Sequence, residues 1–194
     1  MRFFVTLLHQ NFSAPHVCQR ILRSSVIGLF ITFIPCLHST TASAEPVRRP
    51  VLPAAAAFKA AEVAVATCRQ QGFGVTATVL NAEGAIVAVL RGDMATPHTV
   101  ENSFNKAYTA VSLGPVQKVD STAKIYESMK INPGFGTWPL PPAPIRGFTF
   151  NPGGLVLYSG GDVVGSIGIS GAPKGVIDEG CAFKGRDAAS AFLN

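Results

Sequence analysis

Several of the usual signs of a catalyst are missing from this chain. It has no GxSxG elbow, no HExxH pair and no glycine-rich loop ending in GK[ST]. That removes the common sequence signatures of serine hydrolases, zinc proteases and phosphate-loop enzymes. Charged residues make up only 14% of the sequence, and basic and aromatic residues do not interleave as they do on nucleic-acid surfaces. There is no internal repeat. The longest apolar run, Val26 to Leu37, is 12 residues, whereas a bilayer span takes about 20.

That short run has another reading. Arg20 and Arg23 precede it, Pro35 interrupts it, and Ala-Ser-Ala follows at 42–44. A basic flank, a short apolar core and a small-x-small site describe a secretory signal, with cleavage expected after Ala44. The other reading is a retained membrane anchor. Cleavage changes the arithmetic of the chain. Of 16 basic residues Arg2, Arg20 and Arg23 leave, so 13 face 11 acidic ones and the net charge drops from +5 to +2. The basic balance is therefore largely a property of the signal, and argues for neither nucleic acid nor an acidic membrane surface. His98 remains as the one histidine, and Cys68 and Cys181 as the two cysteines. The remaining 150 residues of 194 make one ordinary domain, expected to be secreted or periplasmic and without stable membrane insertion.

Within that domain, 45–53 holds three prolines and reads as an extended leader. A helix is expected from Ala54 to a stop at Gly72, with Phe58, Ala61, Val65 and Cys68 as its buried stripe. Residues 75–80 and 85–91 read as strands of a hairpin closed by NAEG (81–84). A second helix should begin at Thr96–Pro97 and end at Leu113, before Gly114–Pro115, with Val100, Phe104, Ala107 and Val111 in the core. Its more polar face carries Asn102, Asn105, Lys106 and Thr109. A shorter helix is expected at 121–130. The proline-rich segment 131–147 is long enough to cover a site or an interface. Strands are expected at 148–150, 155–159 and 163–170, and a last helix at 176–192 with Ile177, Cys181, Gly185, Ala188 and Phe192 on one side. Short turns between consecutive strands make an antiparallel sheet with helices packed on it, an α/β architecture of the α+β kind. On the last strand Ile167 and Ile169 alternate with Ser166, Gly168 and Ser170, and that small face invites a closely packed helix. Asp178 and Glu179 diverge at a helix start and suit its dipole better than acid–base work.

Four motifs in this order carry a resemblance: RGD (91–93), KAYTA (106–110), PGG (152–154) and GDVVGSIGISG (161–171) followed by Asp178-Glu179. Together they resemble the GlcG/HbpS-type family of haem-binding, so-called haem-degrading domains over about residues 54–190. The sequence departs from the pattern at Asn81, where aspartate is usual, and in its longer 131–147 segment. The resemblance implies a profilin-like fold with a five-stranded antiparallel sheet, assembly into homo-oligomers, and binding of haem or a related small molecule. With the fold so implied, Cys68 and Cys181 could form a disulfide, which an oxidising compartment permits; two buried free thiols are the alternative.

Haem needs an axial donor and cations for its propionates. His98 is the candidate metal ligand, with Tyr108, Tyr126, Tyr158 and Met94 as substitutes; a lone histidine near a helix start is more often a solvated surface residue, and that is the other reading. No CxxCH occurs, which excludes c-type attachment. Arg91 and Lys106 would face one pocket if the second helix folds back over the first hairpin, where both suit carboxylates. Asp93, Asn105 and Thr109 complete the candidate ligand-binding set. Alternatively, Arg91 and Asp93 pair with each other or with Lys106 to lock the turn. An enzyme acting on a small organic acid or on haem, with His98 or Asp93 moving a proton, and a non-catalytic accessory protein are the competing readings.

Overall fold

In the computed structural model, the described residues are 48–131 and 147–193. The expected signal at 1–44 and nearly all of the 131–147 segment lie outside them. The first helix, α1 (Ala54–Gln70), is followed by β1 (Thr76–Asn81), β2 (Ile86–Arg91), α2 (His98–Gln117) and α3 (Thr122–Ile131). Strands β3 (Gly154–Ser159) and β4 (Asp162–Ser170) and helix α4 (Gly175–Ser190) complete the order. The strands form one antiparallel sheet in the order β2-β1-β4-β3.

Four strands are seen among the described residues rather than five. The segment expected as a strand at 148–150 is irregular, because its Thr149 amide donates to the Thr109 hydroxyl on α2, at 2.8 Å, instead of to the sheet. The β3 edge is bridged from elsewhere, by Ser121 opposite Leu155 and by the Val156 amide on the Asp120 carbonyl.

Sheet alternation decides the layers. Ile167 and Ile169 point into a core shared with α1 and α4, built from Ala57, Ala60, Ala64, Val79, Leu155, Leu157 and Ala182 among others. Ser166 and Gly168 point to α2 on the other face. A Cβ added at Gly168 would lie 2.1 Å from the Ser103 carbonyl oxygen, so helix and strand backbones touch there. The small-residue face of β4 is thus used for close helix packing.

The core stripe of α1 differs from the expected one. Ala56, Ala57, Ala60, Ala61, Ala64 and Cys68 are buried, whereas Phe58 is 61% exposed. Small residues win because α4 comes close: a Cβ at Gly185 would sit 2.5 Å from the Ala60 carbonyl. Cys68 and Cys181 face each other across this contact and are joined by a disulfide, with Cα atoms 5.7 Å apart. Phe192, also expected in the core, is exposed.

Helix ends follow capping rules. Gly72 has φ 84°, and the Phe73 and Gly72 amides close on the Cys68 and Arg69 carbonyls, the expected stop of α1. Helix α2 runs past Gly114–Pro115 instead of ending there. Proline only forgoes one amide bond inside the last turn, and the closure comes at Lys118, φ 56°, with the Val119 amide on the Gly114 carbonyl. In the hairpin, the Asn81 side-chain oxygen accepts the Ala85 amide at 2.8 Å. Asparagine therefore does there what an aspartate oxygen would do.

Candidate functional site

The connection from β2 to α2 is a tight, solvent-facing turn. The Ala95 amide returns to the Gly92 carbonyl, and the Arg91 guanidinium donates from Nε and Nη2 to the Ala95 carbonyl. Gly74 makes room for it: a Cβ there would meet the backbone of 93–95 at 2.7 to 2.8 Å. Met94 sits at the tip with φ 64°, an unfavourable backbone for a side-chain-bearing residue, and is 93% exposed. His98, the first residue of α2, is exposed, with its Nδ1 3.2 Å from the Thr96 hydroxyl. Arg91, Asp93, Met94 and His98 thus stand together on one exposed turn. Arg91 pairs with neither Asp93 nor Lys106; its partner is a main-chain carbonyl.

Lys106 is elsewhere, which corrects the expectation that it shares a pocket with Arg91. It belongs to the buried face of α2, next to Gly153 and Gly154, whose added Cβ atoms would collide with its Nζ and carbonyl. Those glycines precede and open β3, while Arg91 lies in β2 at the opposite sheet edge. Three strand spacings, about 14 Å, separate the two edges. The Lys106 ammonium instead meets Asp178 Oδ2 at 2.6 Å, with side-chain exposures of 2% and 3%. Asp178 Oδ1 accepts the Ala172 amide at 2.9 Å. Burial pushes the Lys106 pKa down and the Asp178 pKa up, and in each case the partner's opposite charge resists. The pair ties α2 to the start of α4 around the end of the sheet. Asp178 is therefore a buried ion-pair partner rather than only a charge at the helix dipole.

Much of the remaining polar face of α2 is buried too, against the sheet. Thr76 bonds Thr99 at 2.7 Å and Thr78 bonds Ser103 at 2.8 Å; Ser166 donates to the Ala107 carbonyl, and Asn102 to Ser170. Val100, expected in the core, is exposed instead. Thr109 is buried, donating to the Asn105 carbonyl while accepting from Thr149, so neither Thr109 nor half-buried Asn105 joins the exposed turn. The alternating Thr76 and Thr78 opposite Ser166, Gly168 and Ser170 were the sequence signal for this interface. Of the substitute donors, Tyr108 is stacked on Phe104 and edge-on to Phe148, with ring centroids 5.6 Å apart in both cases. Tyr126 and Tyr158 lie on α3 and β3. Among the described residues no group of three or more His, Cys, Asp or Glu is placed to hold a metal ion.

An antiparallel sheet carrying helices on both faces, with a short exposed cation–imidazole turn at one edge, defines an α+β architecture. The comparisons make the class specific. The family model described as "Haem degrading protein HbpS-like" matches residues 52–187. The crystal structure of HbpS is 31% identical, with a TM-score of 0.62, covering 77% of this chain and 95% of that one. The chain belongs to the HbpS-like family. The same fold is seen in the Klebsiella pneumoniae protein ORFY, at 23% identity and TM-score 0.65, covering 77% and 99% of the two chains. It recurs in a PduOC:heme complex, at 23% identity and TM-score 0.60, covering 72% and 95%. No curated protein matches the chain.

Proposed function

We propose that this chain is a secreted or periplasmic binding protein for haem or a related carboxylate-bearing compound, working as a homo-oligomer. The observation that carries the reading is the exposed Arg91–His98 turn in a member of the HbpS-like family. Haem brings its equatorial iron ligands with it, so one imidazole and one cation are the minimum a protein must add. The turn offers both. Its Thr96 contact engages Nδ1 of the exposed His98 ring, which leaves Nε2 as the candidate donor, Arg91 is held against the Ala95 carbonyl, and exposed Met94 and Val100 supply apolar surface beside them. When bound, haem would supply a redox-active iron; the residues here would orient it and neutralise a propionate. A structure of the related PduOC holds haem, and the Cys68–Cys181 bond suits an oxidising compartment. Among the described residues no helix is long and apolar enough to cross a membrane.

The test is an absorbance titration of the chain with hemin, repeated on His98→Ala and Arg91→Ala. A saturable Soret shift at one haem per chain is expected, lost in His98→Ala and weakened about tenfold in Arg91→Ala, the scale of one charge-assisted contact. A saturable shift unchanged in both variants would remove this turn as the site. No specific shift would remove haem. Loss of the Soret band over time with added reductant would instead identify turnover, the activity in the family's description.

A further inference from the structure

The Lys106–Asp178 contact has the geometry of a reaction as well as of an ion pair. Nζ lies 2.6 Å from Oδ2, which sets it at about the 3–3.5 Å from Cγ that a near-attack arrangement takes. The other oxygen, Oδ1, accepts the Ala172 amide at 2.9 Å. A donor therefore already faces the atom on which charge would develop if Nζ added to Cγ. Packing holds the two side chains together: a Cβ added at Gly153 would come within 2.9 Å of both Lys106 Nζ and the Asp178 Cβ. Both side chains are almost wholly buried, and burial pushes the lysine pKa down and the aspartate pKa up. It thus favours the neutral amine and the neutral acid, the two forms that can condense. A third group stands close. Glu179 follows Asp178 on α4, is buried, and its charge acts on the Lys106 ammonium.

We propose that Lys106 and Asp178 condense into an intramolecular isopeptide bond, with Glu179 carrying a proton, so that α2 and α4 become covalently joined. One proton passes from the ammonium to Oδ2, leaving an amine and a carboxylic acid. The Nζ lone pair adds to Cγ, and the charge falls on Oδ1 against the Ala172 amide. A second proton goes from nitrogen to Oδ2 by way of Glu179, the Cγ–Oδ2 bond breaks, and one water leaves. Ammonium and carboxylate become amide and water, neutral overall on both sides, with no oxidant, reductant or cofactor. The product replaces two buried charges by one amide, which costs less to keep away from water. The ion pair is the reactant state of this bond. Reductant does not cut it, unlike the disulfide that joins α1 to α4. This inference stands apart from the haem reading.

The experiment is intact-mass spectrometry of the purified chain, denatured and reduced, against the mass of its sequence from the observed N-terminus. Lys106→Met, Asp178→Ala and Glu179→Gln are run beside it, and each protein is also digested with trypsin. The parent is expected one water lighter than its sequence, and Lys106→Met and Asp178→Ala at full mass. Glu179→Gln is expected to lose the water more slowly over days of incubation. In the parent digest, cleavage after Lys106 should fail, and a branched peptide should join 92–118 to 175–184. If a variant does not fold, the branched peptide of the parent decides. A folded parent that keeps its full mass after prolonged incubation would overturn the proposal and leave the contact an ion pair. Loss of water that persists in Lys106→Met would overturn it too, since the missing water would then come from elsewhere. An unchanged rate in Glu179→Gln would remove Glu179 from the step.

Discussion

Among single residues, Lys106 shows how far a side chain's role can depart from its type. A lysine on a polar helix face ordinarily reads as solvent-facing, and its partner is 72 residues further along the chain. Nothing local in either stretch announces the pair; it exists because α2 and α4 reach the same end of the sheet from opposite faces. The energetic consequence is specific. Lys106→Met would strand the Asp178 carboxylate without its cation and cost roughly 3–5 kcal/mol. Adding Asp178→Asn, which keeps an acceptor for the Ala172 amide, should recover a large part of that loss. Urea denaturation of the two variants checks this, and additive losses would refute the coupling. Because Lys106 lies away from the Arg91–His98 turn, the folded fraction of Lys106→Met should titrate with hemin like the parent.

For whole elements, legibility depended on whether the deciding contacts were local. The stop of α1 at Gly72, the 81–84 turn and the two faces of β4 were all readable, because each depends on residues a few positions apart. The stripe on α1 was misread in favour of Phe58, since a run of alanines looks like weak core when it is in fact the surface that lets α4 approach. The polar interface of α2 failed for the matching reason: its hydroxyls are satisfied only by strands distant in sequence. Of the candidate ligand set, Arg91, Asp93 and His98 lie close along the chain and share one exposed turn, whereas Asn105, Lys106 and Thr109 stand elsewhere on α2, which only the sheet order reveals. Between elements, Asp120 joins the start of α3 to α4 by accepting from Lys124 and from Arg186 at 2.6 and 3.0 Å. Partial burial alone would raise its pKa, but these two hydrogen-bonded cations hold it below the ordinary carboxylate value. A depressed folded-state pKa means the stabilisation is present above about pH 4 and is lost as the pH falls through the lower folded value. Asp120→Asn should therefore lose stability at pH 6, and the gap to the parent should narrow as the pH is taken below about 4, read from urea midpoints. Burial of Asp178 acts in the opposite sense, so the difference between the two proteins carries the test. A gap that stays constant with pH would count against it.

For the molecule as a whole, one covalent bond dominates. The disulfide joins cysteines 113 residues apart in sequence, which on the chain-entropy estimate is worth roughly 5 kcal/mol. The chain prepared with free thiols should melt about 10 °C lower than the oxidised form, and Cys68→Ala/Cys181→Ala should melt at that lower temperature with or without reductant. Equal melting of the oxidised and reduced chains would mean that helix packing alone holds the α1–α4 contact.

The α1–α4 contact also sets a timetable. The first helix of the domain finds its packing partner in the last, so on a ribosome α1 must wait with its alanine face bare until nearly the whole domain has been made. Cys68 likewise has no partner to oxidise with until Cys181 emerges. Such a domain cannot complete itself piecemeal from its beginning, and its final architecture is reached only after synthesis is almost over.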